Sequence, residues 1–229
     1  MATIRENPIF RIVWQQTPIQ ECGEPMIDLS KFNFVLDPVY FKQGISNSPV
    51  CFVREQVAHK LQRVQDNLGR YRLKIWDTWR PRSLQAKLYD YYRSKLAFEH
   101  PDWDKLRLDE EMTIFVARPD INLIPPHSTG GAVDITLVDQ NGKELDMGTD
   151  FDHFGPEAAS LYFESQQQER SAEICSNRRL LRSAMSAEGF RFDEFEWWHF
   201  DFGNQCWAAA FGYSFAIYDE ISEPLHTSI

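Results

Sequence analysis

Residues 132–147 read AVDITLVDQNGKELDM. Ala132–Val138 and Glu144–Met147 flank Asn141-Gly142, a dipeptide suited to the positive φ angles of a tight hairpin turn. Outward from this hairpin, Leu73–Thr78 (LKIWDT) alternates like a half-buried strand, and Phe195–Phe202 (FEWWHFDF) is β-prone through its aromatics. The N-terminal fifty residues are punctuated by prolines, and Met26–Leu36 is their best strand candidate. Apolar residues at 53, 57, 61, 64 and 68 have helical spacing, with Gly69 as the stop. Ser83 is predicted to cap a second helix through Leu84, Leu88, Tyr91 and Lys95. A third, Arg-rich helix is predicted over Asn177–Ala187, closed by Gly189. Helices and hairpins without a βαβ rhythm predict an α+β fold, a small antiparallel sheet flanked by helices.

The chain has 229 residues, which suits one domain spanning 1–229. That length buries a core without disulfide staples. The net charge of −10 argues against nucleic acid or an anionic membrane as partner, because both would repel the molecule as a whole. Cys22, Cys51, Cys175 and Cys206 form no C-x-x-C pair, which speaks against a Cys-rich zinc site or a redox motif. Cys175 and Cys206 read as small buried apolar residues. Met1–Phe10 (MATIRENPIF) lacks the apolar stretch of a secretory signal, so a cytoplasmic location with reduced thiols is expected.

Two short segments place metal-ligand residue types beside turn residues. One is Pro125-Pro126-His127-Ser128-Thr129-Gly130-Gly131-Ala132-Val133-Asp134; the other is Glu196-Trp197-Trp198-His199. Catalytic zinc takes three protein ligands of His and carboxylate type and keeps a fourth position for water. Two His and one Asp would fill that set, leaving Glu196 beside the water. Each segment alone reads as readily as a structural hydrogen bond or a core strand with one satisfied histidine. Residues three apart on a flat strand also face opposite ways. Glu196 and His199 therefore converge only if the strand bends, twists or begins near Glu196.

The combination is more specific. P-x-H-x-x-G-x-A-x-D followed by E-x-W-H resembles the zinc D-alanyl-D-alanine dipeptidases, the vancomycin-resistance type within the D-Ala-D-Ala metallopeptidases. Asp77-Thr78-Trp79-Arg80-Pro81, Asp146–Asp152 (DMGTDFD) and Asn177–Arg182 (NRRLLR) through Gly189-Phe190 resemble further motifs of that family, in the same order. The resemblance is good over roughly residues 71–202 and weak over 1–70. It implies that His127, Asp134 and His199 bind one Zn²⁺ at the sheet and that Glu196 is the general acid/base. It further implies that Arg80 stabilises the oxyanion and that Asp152 takes the substrate's ammonium group. Pro125 and Gly131 stand where the family usually has Ser, and Trp79 where it has Tyr.

The activity so implied is hydrolysis of small D,D-dipeptides by metal-activated water. The alternatives are a D,D- or L,D-carboxypeptidase acting on peptidoglycan peptides, or a catalytically silent zinc-stabilised binding domain. Considered without the resemblance, Arg80 reads as a surface ion pair and Asp152 as a turn or cap carboxylate. His153 is a weak rival ligand, since the three-ligand set is complete without it. Arg178, Arg179 and Arg182 read as a solvated or salt-bridged helix face. Enclosure of a substrate would have to come from loops around 35–50 and 149–170.

Overall fold

In the computed structural model, which describes residues 14–115, 123–166 and 169–222, residues 132–138 are the middle strand of a five-stranded sheet. The Met1–Phe10 segment lies outside the described residues. Seven strands are described: β1 (Met26–Asp28), β2 (Val35–Leu36), β3 (Phe52–Arg54), β4 (Arg72–Asp77), β5 (Ala132–Val138), β6 (Arg191–Phe192) and β7 (His199–Asp201). The helices are α1 (Val39–Lys42), α2 (Glu55–Asn67), α3 (Arg82–Glu99), α4 (Lys105–Phe115), α5 (Glu169–Ala187) and α6 (Gln205–Phe211). The large sheet runs β2-β4-β5-β7-β6, and β1 pairs with β3 apart from it. Its pairings are antiparallel except at the edge, where β2 lies parallel to β4.

Every residue of β5 is buried, so the strand is covered on both faces. Alternation sends Val133, Ile135 and Leu137 into one core with Val57 and Leu61 of α2 and Leu181 and Met185 of α5. Asp134 lies on the opposite face. There a second cluster, Tyr40, Leu88, Tyr92, Leu96 and Met112, joins α3 and α4 to the aromatic rings of Phe151 and Phe154. No helix of the described residues is long and apolar enough to cross a membrane.

Several expectations are corrected in detail. Met26–Leu36 is broken in two, because Asp28 accepts the N–H of Ser30 at 2.8 Å and starts a 3-10 turn over Leu29–Lys31. Ser83 caps nothing. Pro81 holds the N-cap position, and its carbonyl accepts from Leu84 and Gln85, so Ser83 falls inside the first turn. The buried stripe of α3 is Gln85, Leu88, Tyr89, Tyr92 and Leu96; Tyr91 and Lys95 are exposed. The Asn141-Gly142 turn forms, with Gly142 at φ 80° and Asp139 accepting from Asn141 and Lys143. Its return arm makes one bridge among the described residues, Val138 to Glu144, with the Leu145 N–H donating to the Leu137 carbonyl at 3.0 Å. The third helix begins at Glu169, and the 195–202 strand is reduced to His199–Asp201.

Candidate active site

The strand register lines up the polar face. Asp77 of β4 stands opposite Asp134 of β5, and Asp134 opposite His199 of β7, so three ionisable groups form one row across three strands. The β4 pairing shifts between Ile75 and Asp77, a bulge of the kind that re-aims side chains beside functional sites. His127 joins the row from a 3-10 turn over Pro126–Thr129, which starts after Pro125 and ends at Gly130 with φ 72°. His127, Asp134 and His199 are all buried.

Each imidazole has one nitrogen committed outward. Nδ1 of His127 lies 2.6 Å from the carbonyl oxygen of Thr78, which can only accept, so the proton sits on Nδ1 and Nε2 faces inward. Nε2 of His199 lies 3.1 Å from Oδ1 of Asp201, which turns Nδ1 inward. The inward atoms converge: His127 Nε2 to His199 Nδ1 is 3.2 Å, His199 Nδ1 to Asp134 Oδ1 is 3.0 Å, and His127 Nε2 to Asp134 Oδ1 is 3.4 Å. With His199 neutral, three lone-pair atoms face one another, an arrangement that a cation between them relieves. A tetrahedral ion with bonds of about 2.0–2.1 Å would separate its ligands by about 3.3–3.4 Å, so the spacing fits zinc.

The electrostatics agree. Burial pushes His127 down to about 4, with Arg80 adding to the effect, so its ring is neutral. Burial opposes ionisation of Asp134, yet His127 and His199 hold it well below the usual carboxylate range. Burial also opposes charging of His199, but Asp201 and Asp134 outweigh it and raise its pKa. The centre of the cluster thus favours positive charge, which a divalent ion supplies.

Residues 196–199 form a turn, not a strand, and the Glu196 carboxyl lies within electrostatic range of His199 and Asp134. The His199 N–H donates to the Glu196 carbonyl at 3.1 Å, and β7 begins only at His199. This removes the strand-alternation conflict. Burial raises the Glu196 carboxyl well above 4.5, with His199 opposing and Asp193, Asp134 and Asp152 adding. Trp197 in the same turn donates its indole N–H to Thr149 Oγ1 at 2.8 Å and packs edge-on to Trp76.

Arg80 is a largely buried partner of Asp77, with Nε 2.8 Å from Oδ2 and each side chain 12% exposed, and its backbone N–H donates to the His127 carbonyl. It is therefore no surface ion pair. Asp152 accepts from the hydroxyls of Tyr40 and Tyr92 and has φ 58°, the one positive φ among described non-glycine residues. Burial lifts its carboxyl to about 6, against the pull of the Tyr92 hydrogen bond. Asp146, not Asp152, accepts the Gly148 N–H. Tyr40 and Phe151 bring the two anticipated loops together, with Phe151 stacked on Trp76. His153 points away, to Glu157 at 3.3 Å.

Sequence reasoning missed Asp77, Asp201, Tyr40 and Tyr92 as partners of the site. It also misplaced Arg178. That side chain is buried and donates to the carbonyls of Met147, Glu157 and Ala159, pinning the loop that carries Asp152. Arg179 and Arg182 do pair with Glu164, as a salt-bridged face would. Behind the His127 turn, Arg54 is a second buried clamp. Its guanidinium donates to the carbonyls of Thr129, Glu24 and Asp219 and to the Glu21 carboxylate. All four cysteines are free, with Cys175 and Cys206 buried.

Comparison with known proteins supplies relatives for this arrangement. The peptidase M15 family model, described as D-Ala-D-Ala dipeptidase, matches residues 33–219, further toward the N-terminus than the motifs alone reach. A D-alanyl-D-alanine dipeptidase of Synechocystis sp. is 30% identical over 215 residues, 83% of this chain and 87% of the relative. One from Escherichia coli is 34% identical over 118 residues, 52% of this chain and 55% of its own length. One from Enterococcus faecalis is 27% identical over 138 residues, 57% and 61% respectively.

Proposed function

Because this chain belongs to the D-Ala-D-Ala dipeptidase family of metallopeptidases, we propose that it hydrolyses D-alanyl-D-alanine-type dipeptides, with one zinc ion and with Glu196 as general acid/base. The observation that carries this reading is the convergence of His127 Nε2, His199 Nδ1 and Asp134 Oδ1 beside a carboxylate, Glu196, that takes no part in the cluster. A purely structural metal site has no use for that spare carboxylate.

His127, Asp134 and His199 would hold the ion. When bound, Zn²⁺ acidifies water to a pKa of about 7 and polarises a carbonyl oxygen. Glu196, its pKa raised by burial, takes the proton from the attacking water and returns one to the departing amine. Arg80 keeps its positive charge at any working pH and faces the oxygen on which negative charge develops. Asp152 receives the substrate ammonium. Tyr40, Trp76, Phe151 and Trp197 pack ring against ring next to Asp152 and Glu196, and a site enclosed by them would favour a short substrate with one charge at each end, because each unmet buried charge is costly.

A hydrolysis panel tests the reading: D-Ala-D-Ala, other D,D- and L,D-dipeptides, and a muramyl pentapeptide, each with zinc-loaded protein. Cleavage confined to D,D-dipeptides is expected. Pentapeptide cleavage in preference to D-Ala-D-Ala would replace the dipeptidase with a carboxypeptidase.

A further inference from the structure

Asp201 is fully buried two residues beyond His199, on the same face of β7. Its Oδ1 lies 3.1 Å from His199 Nε2 and also accepts from Asn204 Nδ2 at 2.6 Å. Its Oδ2 accepts from Arg191 at 2.6 Å, and Arg191 stands directly opposite it in the β6–β7 register. Asn204 is itself fixed, because its Oδ1 accepts the Trp207 N–H and caps α6. The carboxylate is therefore held on three sides, with Oδ1 shared between His199 and Asn204 and Oδ2 held by Arg191.

An ionised carboxylate only accepts, so the ring nitrogen facing it must carry the proton. His199 is then left with its Nδ1 lone pair toward Asp134 and His127. The other imidazole is oriented differently, by the neutral carbonyl of Thr78. The two rings thus have unequal supports: a carboxylate is the direct partner of His199 at 3.1 Å, whereas Asp77 stands 3.4 Å from a His127 nitrogen already held by the Thr78 carbonyl.

We propose that Asp201, braced by Arg191 and Asn204, is a positioning residue that orients His199 for the metal and sets the strength with which the site holds it. This rests on the zinc reading above. Outer partners of metal-bound histidines typically change affinity by about 10–100-fold.

The test is zinc affinity, measured by competition with a chromophoric chelator, in wild type and in Asp201→Asn. The variant keeps the side-chain volume and removes the charge. Its zinc affinity should fall by about tenfold or more. The visible absorption bands of the Co²⁺-substituted protein should shift with it, which a merely structural change elsewhere would not cause. Arg191 would keep only Asp193 as an acidic partner in that variant, so Arg191→Met combined with Asp201→Asn provides a second version without an under-paired arginine. It should show the same loss. Affinity within threefold of wild type in either folded variant, with unchanged Co²⁺ bands, would overturn the proposal. Failure of the wild type to bind zinc at all would instead defeat the zinc reading and this inference with it.

Discussion

Asp77 joins two working parts of the site through one oxygen: its Oδ2 lies 2.8 Å from Arg80 Nε and 3.4 Å from His127 Nδ1. The arginine proposed to face the oxyanion and the histidine proposed to hold the metal thus share a buried counter-charge. Replacing Arg80 by Ala should lower turnover by about 10²–10³ while zinc content stays near one equivalent. Steady-state kinetics with metal analysis on the same preparation will show both. Unchanged turnover would remove Arg80 from the chemistry.

Glu196→Gln keeps the shape of the side chain and removes its basicity. Zinc should remain bound, and hydrolysis should fall by about 10²–10⁴. If turnover persists, the proton is moved by another group.

Metal removal should be felt in stability as well as activity. Three buried ligand atoms facing one another are relieved by a cation, so a ligand at about 1,000 times its Kd adds about 4 kcal/mol. Thermal unfolding with and without a chelator should therefore differ by several degrees, and His127→Ala should abolish the difference.

The fold's polar interior predicts a pH effect remote from the metal. Burial works to raise the Glu21 carboxyl, but the N–H groups of Asp219 and Gly23, together with Arg54, hold it below its ordinary 4.5. A depressed folded-state value means the group stabilises the protein above pH 4.5, and this contribution is lost as pH falls through the folded pKa. Glu21→Gln should accordingly be less stable than wild type at pH 7, with the gap closing below about pH 4.5. Denaturant melts across pH 3–7 measure it; a gap constant with pH would refute the linkage.

Gly131 leaves no room for a side chain. A Cβ at that position would sit 2.3 Å from the Phe202 carbonyl oxygen and 2.9 Å from the Tyr218 ring. The Phe202 N–H in turn donates to the Gly131 carbonyl at 2.7 Å. Gly131→Ala should destabilise the protein by about 1–3 kcal/mol, seen in a lowered denaturation midpoint.

The clustering of His127, Asp134 and His199 was legible because their residue types recur in one order and chemistry restricts which types can bind zinc. The partners were not. Asp201 and Asp77 differ from solvated aspartates only by what lies across the sheet, and that depends on register, which pairs Asp77 with Asp134 and Arg191 with Asp201. Alternation along FEWWHFDF does put Asp201 on the His199 face, so this one could have been found. Arg178 was misread because helical spacing says which residues share a face, not which face meets the 147–159 loop. Ser83 and Met26–Leu36 failed locally, where Pro81 and the Asp28 side chain overrode the strand and cap signals.

Arg54 gathers chain from both sides of the metal turn, since Glu21 and Glu24 precede it and the Asp219 carbonyl it binds lies 165 positions further on. During synthesis, a nascent chain has all three proposed ligands once His199 has emerged, but it lacks the segment that completes this clamp. Chelation and a rigid seat for the chelators therefore arrive at different times. A zinc ion captured early would meet a loose His127 turn, and the working geometry would be set only when the last strand of backbone closes around one guanidinium.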